Sequence, residues 1–135
     1  MKQLTSKLPE FCASHWLLRL PLIIVFLQQG LAKWPITESS AEAWGLPLLV
    51  WSFVVLGELG AGLGLAVGGV LSYKPLTKEA GDLLTRFSGI TIASIMTGVI
   101  WLSYPESLLE VILYDHFHFM LWVGGMYFAL RGNKG

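Results

Sequence analysis

The chain has 135 residues, 54% of them hydrophobic and 13% charged, whereas a soluble domain usually carries about 25% charged residues; the composition is that of a membrane protein. Nine acidic and nine basic side chains cancel, so no overall field points toward nucleic acid or another polyanion. The single cysteine, Cys12, excludes an intramolecular disulfide and a cysteine-rich metal site, and the length fits one domain.

A hydrocarbon core about 30 Å thick needs about 20 mostly apolar residues per helix. Residues 16–34 form the first such run, with Pro21 near its start, where a missing N–H is tolerated or the helix kinks. Lys2 and Lys7 precede the run, and "AEA" at 41–43 imitates a signal-peptidase site. That site lies too far beyond the apolar run for cleavage geometry, so the segment is expected to be retained as a helix. After "KWPITESSAEAWG" comes a second run, 46–72, with Pro47 near its start; "SYKPLTKEAGD" leads to a third, 86–104, and "SYPESLLE" to a fourth, 111–130. The three connections carry turn chemistry, and the last is short enough to make the third and fourth helices antiparallel neighbours. The expectation is an all-α protein: an integral membrane four-helix bundle forming one transmembrane domain over residues 1–135.

An even number of spans puts both termini on the side of the middle connection. That side holds Lys2, Lys7, Lys74, Lys78, Arg86, Arg131 and Lys134, against Lys33 alone on the other. Positive charge stays inside, so both termini are expected in the cytoplasm of a bacterial inner membrane. The outer connections carry Glu38, Glu42, Glu106 and Glu110, an acidic rim that is either simply solvated or suited to a cationic partner. Trp16 and Tyr73 fall at the inner boundary, and Trp34, Trp44, Trp101, Tyr104 and Tyr114 at the outer one, as aromatic belts do.

The second run contains Gly57, Gly60, Gly64 and Gly68, the last three spaced every four residues. Such a stripe lets another backbone approach, for plain packing or as a groove for a flat ligand or partner helix. "GELGAGLG" has no following lysine and lies at membrane depth, so it is no phosphate loop.

Polar residues within the spans are few: Arg19, Gln28 and Gln29; Glu58; Ser94 and Thr97; and Asp115, His116 and His118. Intramembrane ionisable groups face the bundle interior. At about 1.5 Å per residue, Glu58 falls near the midplane, Arg19 roughly 9 Å to its inner side and His118 roughly 4 Å to its outer side. Two states are open for Glu58. In the first, an Arg19–Glu58 pair satisfies the carboxylate with a guanidinium fork. In the second, Glu58 keeps its proton and bonds to Gln28 or His118, which would make it a proton carrier. Asp115 and His118, three residues apart, share a helix face, while His116 points about 100° away. This dyad either ends the helix, moves protons to or from a quinone, or joins a metal site with ligands from elsewhere; one histidine and one carboxylate fall short of a zinc site. No metal is expected.

"LLRLPLIIVFLQQGLAKW", residues 17–34, resembles the opening helix of the DoxX-like family, and "ELGAGLGLAVGG", residues 58–69, is similar to that family's second helix. Arg19, Gly30, Lys33 and Glu58 match its pattern by position, whereas Gln29 stands where a histidine is common. The resemblance implies a small membrane protein with both ends inside. Branches of the family include the membrane subunit of a thiosulfate:quinone oxidoreductase, members acting in redox complexes, and assembly helpers.

Together these features lead to an expected membrane subunit of a respiratory or redox complex, with a quinone-accessible cavity bounded by Arg19, Glu58 and the glycine face. Glu58 would relay protons and Arg19 would hold its charge or a quinone carbonyl. Gly60, Gly64, Gln28, Gln29, Asp115 and His118 would complete the site. Electrons would come from a partner or a bound substrate. The alternative is a non-catalytic accessory subunit that stabilises or assembles a larger membrane complex; a small transporter would need an inverted repeat that the chain lacks. Lipid and other membrane subunits or a second copy of the chain are the expected partners, with no nucleic acid.

Overall fold

The computed structural model describes residues 14–102 and 106–133 and is all-helical, without a strand among these residues. Cys12, Tyr104 and the terminal lysines 2, 7 and 134 lie outside the described residues. Among these residues six helices follow one another: α1 (Trp16–Ala32), α2 (Glu38–Ala43), α3 (Leu48–Leu71), α4 (Lys78–Leu102), α5 (Leu108–Tyr114) and α6 (His116–Arg131). By length and composition α3 and α4 can cross a membrane, with mean hydropathies of 1.9 and 1.5, and α1 is a shorter apolar helix. Two helices meet that criterion among the described residues, where the sequence led to an expectation of four.

The boundaries differ from expectation where polar residues enter helices. α4 starts at Lys78 rather than at residue 86. Its first turns carry Glu79 and the Asp82–Arg86 pair at 2.9 Å, charges that support a helix end without being apolar. The stretch "ESSAEA" is the short helix α2, capped by Thr37, whose hydroxyl accepts the Ser40 N–H at 3.2 Å. The fourth run is two helices. They meet at Asp115, whose φ of −110° and ψ of 55° are not helical, as suits a residue whose short carboxylate competes for local hydrogen bonds. α5 is capped by Ser107, whose hydroxyl accepts the Glu110 N–H at 3.2 Å. Pro21 is accommodated inside α1, and Pro47 immediately precedes α3.

The four longer helices form an antiparallel bundle in which α3 lies between α1 and α4, α6 packs on α4, and α1 touches α6 only lightly. Phe26, Leu65, Ile92 and Phe128 fill its core. Helix α3 approaches two neighbours through separate glycine faces. A Cβ at Gly64 or Gly68 would run into Ser88 or Thr85 of α4, and one at Gly62 or Gly69 into Leu27 or Trp16 of α1. The expected stripe is thus divided, because Gly60 is exposed with nothing within 4 Å of a Cβ. The tightest approach to another backbone lies elsewhere: a Cβ on Gly89 of α4 would collide with the backbone of Gly125 and Ala129 in α6.

Candidate functional site

Where α1 and α6 part, the bundle has a half-open cavity of about 580 Å³ between α1, α3, α4 and α6. Its wall is mostly apolar and aromatic, with Phe26, Trp51, Met96, Trp101 and Phe117 among its residues, and it receives Gln29, Lys33, Glu58 and His118. A pocket of this volume, apolar with a few converging polar groups, is the usual form of a small-molecule site. A smaller cavity of about 310 Å³ adjoins it and shares Gln29, Lys33, Trp44 and Trp51.

Glu58, on α3, is 2% exposed, and its partner is Lys33, not Arg19. The Lys33 ammonium lies 3.0 Å from both carboxylate oxygens and also donates to Gln29 Oε1 at 3.3 Å. Helix register explains the correction. Packing sets Gly30 against Leu59, Leu27 against Gly62, and Arg19 against Gly69. Arg19 is therefore level with a residue eleven positions from Glu58, about 16 Å along the axis. Lys33 lies just past the C-terminus of α1, near the level of Glu58, and its flexible stem lets the charge turn back to the carboxylate. The Trp44 ring adds a cation–π contact at 5.9 Å.

Asp115 and His118 form the expected pair, Oδ1 to Nδ1 at 2.8 Å. Against an ionised carboxylate Nδ1 is the donor, so Nε2 of the neutral ring is left as an acceptor. His118 lines the cavity; Asp115 stands behind it as the residue that orients the ring. Trp51, 2% exposed, also lines the cavity, and its indole N–H has no hydrogen-bond partner. Trp44 stacks on it with ring centroids 5.9 Å apart.

The other expected site residues go elsewhere. Gln28 and Gly60 are exposed and Gly64 is sealed against Ser88; none of the three lines the cavity. Thr97 is engaged with Trp122, and His116 is exposed at the start of α6. Among the described residues no group of three His, Cys, Asp or Glu side chains converges to hold a metal ion.

Arg19 is the centre of a second polar cluster, at the opposite end of the bundle, and is fully buried. Its guanidinium donates to His15 Nδ1 at 3.1 Å, Leu65 O at 2.7 Å, Thr85 Oγ1 at 3.1 Å and Asn133 Oδ1 at 2.5 Å. The rings of Phe128 and Trp16 lie 4.8 and 5.4 Å from its central carbon. All four hydrogen-bond acceptors are neutral, and they come from the start of α1, from α3, from α4 and from the chain after α6. Asn133 extends the cluster: its backbone N–H donates to Asp82 and its side-chain amide to Gly68 O. Arg86 donates to the Leu130 and Arg131 carbonyls, closing the C-terminal end of α6 with positive charge where the helix dipole favours it. Burial, followed by the Arg19 charge, lowers the His15 pKa below its ordinary 6.5. His15 therefore stays neutral and accepts from Arg19.

No family model matches the chain, and neither a curated protein nor a solved structure proves similar to it.

Glu58 was legible as an isolated carboxylate in an apolar run, and the i,i+3 spacing disclosed the Asp115–His118 pair. His15, Trp51 and Asn133 were missed. His15 and Asn133 stand outside the apolar runs, where a polar residue attracts no notice, and Trp51 is an aromatic residue in an apolar helix. Lys33 was read as an outer-loop charge because its height, not its direction, was visible.

Proposed function

We propose that this chain is a multi-pass protein of the bacterial inner membrane with cytoplasmic termini, and that it serves as the membrane subunit of a respiratory or redox complex, binding a quinone-type ring in the cavity between α1, α3, α4 and α6. The observation that carries the reading is the cavity itself: about 580 Å³, largely apolar, with Glu58, Lys33, Gln29 and His118 on its wall. The outer surface supports the membrane setting. Large apolar side chains such as Leu17, Ile24, Phe53, Phe87, Met120 and Leu130 are more than half exposed around the bundle, which water tolerates poorly and lipid accepts. In this setting α5 and α6 cross together, and at the break the Asp115 carboxylate pairs with His118, which lines the cavity. Lys74, Lys78, Arg86 and Arg131 gather at the end occupied by Arg19, the cytoplasmic end by charge.

In this proposal Glu58 is the ionisable group at the ligand and Lys33 its counter-ion, while Arg19 holds the cytoplasmic end together and does not touch the ligand. The resemblance to DoxX-like proteins points the same way. The test is isothermal titration of a short-tailed quinone or its hydroquinone into the protein in lipid nanodiscs, with empty nanodiscs as the reference. Saturable binding that Glu58→Gln weakens supports the assignment; absence of binding in either redox form excludes it.

A non-catalytic accessory subunit is the second reading, favoured by Gly60, exposed on α3, where a Cβ would meet nothing within 4 Å. Bare backbone at the outer surface suits a closely packed partner helix. Native mass spectrometry from the protein's own membranes would then record a companion chain, and Glu58→Gln would lower assembly while sparing activity per assembled complex.

A further inference from the structure

Resting on the reading of the cavity as a ring-binding site, we infer that its ligand carries a long hydrocarbon tail and enters sideways from the bilayer between α3 and α4, with the tail lying across Gly98. The inference comes from how the spacing of these two helices changes along the bundle. Near the cytoplasmic end they touch through backbone: a Cβ on Gly68 would lie 3.0 Å from Gly81 O and 3.1 Å from Thr85 N. One on Gly64 would run into the Ser88 side chain, and one on Gly57 would reach only the side-chain ends of Ile95 and Thr91. At Gly98, about 4.5 Å further along α4 than Ile95, a Cβ would meet nothing within 4 Å. The neighbouring helix pairs do not open in this way. Gly30 of α1 stays against Leu59 of α3, and Thr97 of α4 accepts the Trp122 indole N–H of α6 at 3.0 Å. Helices α1 and α3 thus form one pair and α4 and α6 another, and the cavity occupies the wedge between the pairs.

The wedge has two lateral mouths, and their chemistry differs. On the α1–α6 side the lining includes Gln29 and His118, polar groups that a hydrocarbon chain leaves unsatisfied. On the α3–α4 side Val50, Phe53, Gly98 and Trp101 line the cavity and are themselves exposed, Phe53 to 68% and Trp101 to 77%. Apart from the Ser94 hydroxyl and the Trp101 indole N–H, this rim is hydrocarbon and bare helix backbone. A continuous apolar surface therefore leads from the lipid-facing side of the bundle inward to Phe26, Met96 and the buried Glu58. A small polar solute gains nothing from such a path. A lipid-soluble ring with an alkyl or polyprenyl chain can bring the ring to the Lys33–Glu58 pair while the chain stays in hydrocarbon throughout. Gly98 is the threshold of this path, because it has no side chain to fill the gap.

The test compares two probes on the full-length protein in lipid nanodiscs, with partition into empty nanodiscs subtracted: tetramethylquinone, which has no tail, and the trimethylquinone that carries a decyl chain in place of the fourth methyl. Gly98→Phe puts a ring across the gap and is expected to weaken the decyl probe about tenfold, the size of a steric clash in a packed site, while tetramethylquinone stays within about twofold of the wild type. Gly60→Phe, the same change at an exposed glycine of α3 that does not line the cavity, is expected to alter neither affinity. The inference is overturned if Gly98→Phe binds the decyl probe as the wild type does, or if it loses both probes equally; in either case ring binding in the cavity still stands. If neither probe binds the wild type, the cavity reading itself fails, and the inference with it. Should Gly98→Phe not fold, a decyl probe with a diazirine on the chain close to the ring decides on the wild type. Photolabelling of the rim at Phe53, Gly98 or Trp101 supports the α3–α4 path, and labelling of α1 or α6 instead, or of lipid alone, overturns it.

Discussion

Glu58 and Lys33 are 3% and 14% exposed at their side chains, so each depends on the other for charge compensation. Removing one partner of a buried pair leaves an uncompensated charge and costs roughly 3–5 kcal/mol, whereas an apolar replacement of both is often neutral. Lys33→Met alone is therefore expected to lower the unfolding midpoint in mild detergent strongly, and Lys33→Met with Glu58→Leu to recover most of the loss. Equal stability of Lys33→Met and the wild type would show that the pair contributes nothing. A second expectation concerns His15. Its folded-state pKa is depressed below 6.5 by burial and by Arg19, so between the two values the unfolded chain binds the proton more readily. Stability should be constant above about 6.5, decline as pH falls through the window toward the folded-state value, and level off below it. Unfolding midpoints across that range should show this step in the wild type and lose it in His15→Gln, which retains an acceptor but does not titrate there.

Helix contacts separate glycines that look alike along the chain. Gly89 meets the backbone of α6, which cannot give way like the end of a side chain, whereas Gly60 faces open space. Gly89→Ala is expected to destabilise the bundle by roughly 1–3 kcal/mol through overpacking. Gly60→Ala should be neutral, or stabilising by about 0.5–1 kcal/mol from helix propensity. Thermal unfolding of both variants in the same detergent checks the pair, and an equal response would contradict the packing. Gly60, 64 and 68 repeat every four residues and so drift slowly around the helix. That drift, together with where the neighbouring helices happen to cross, decides which glycines are covered, and neither is visible in a single sequence.

At the scale of the molecule, the two polar clusters divide the work by position. The Arg19 cluster ties together all four long helices through Leu65, Thr85 and Asn133, and the cavity lies away from it. Arg19→Lys cannot reproduce a planar fork with acceptors on several sides. It is expected to cost roughly 1–3 kcal/mol in stability for the buried groups left unsatisfied, while the folded protein binds the hydroquinone and quinone probes as the wild type does. A change in probe affinity at unchanged stability would place Arg19 at the ligand instead. Sequence alone determined the helical class, the short list of polar residues within the apolar runs and the Asp115–His118 pair, because apolar runs and i,i+3 spacing are local properties of the chain. The Lys33–Glu58 and Arg19–Asn133 partnerships, the division of the glycines and the cavity were decided by tertiary structure. Each depends on the register between helices distant in sequence, and a shift of one turn, about 5.4 Å, exchanges one partner for another without altering any local pattern.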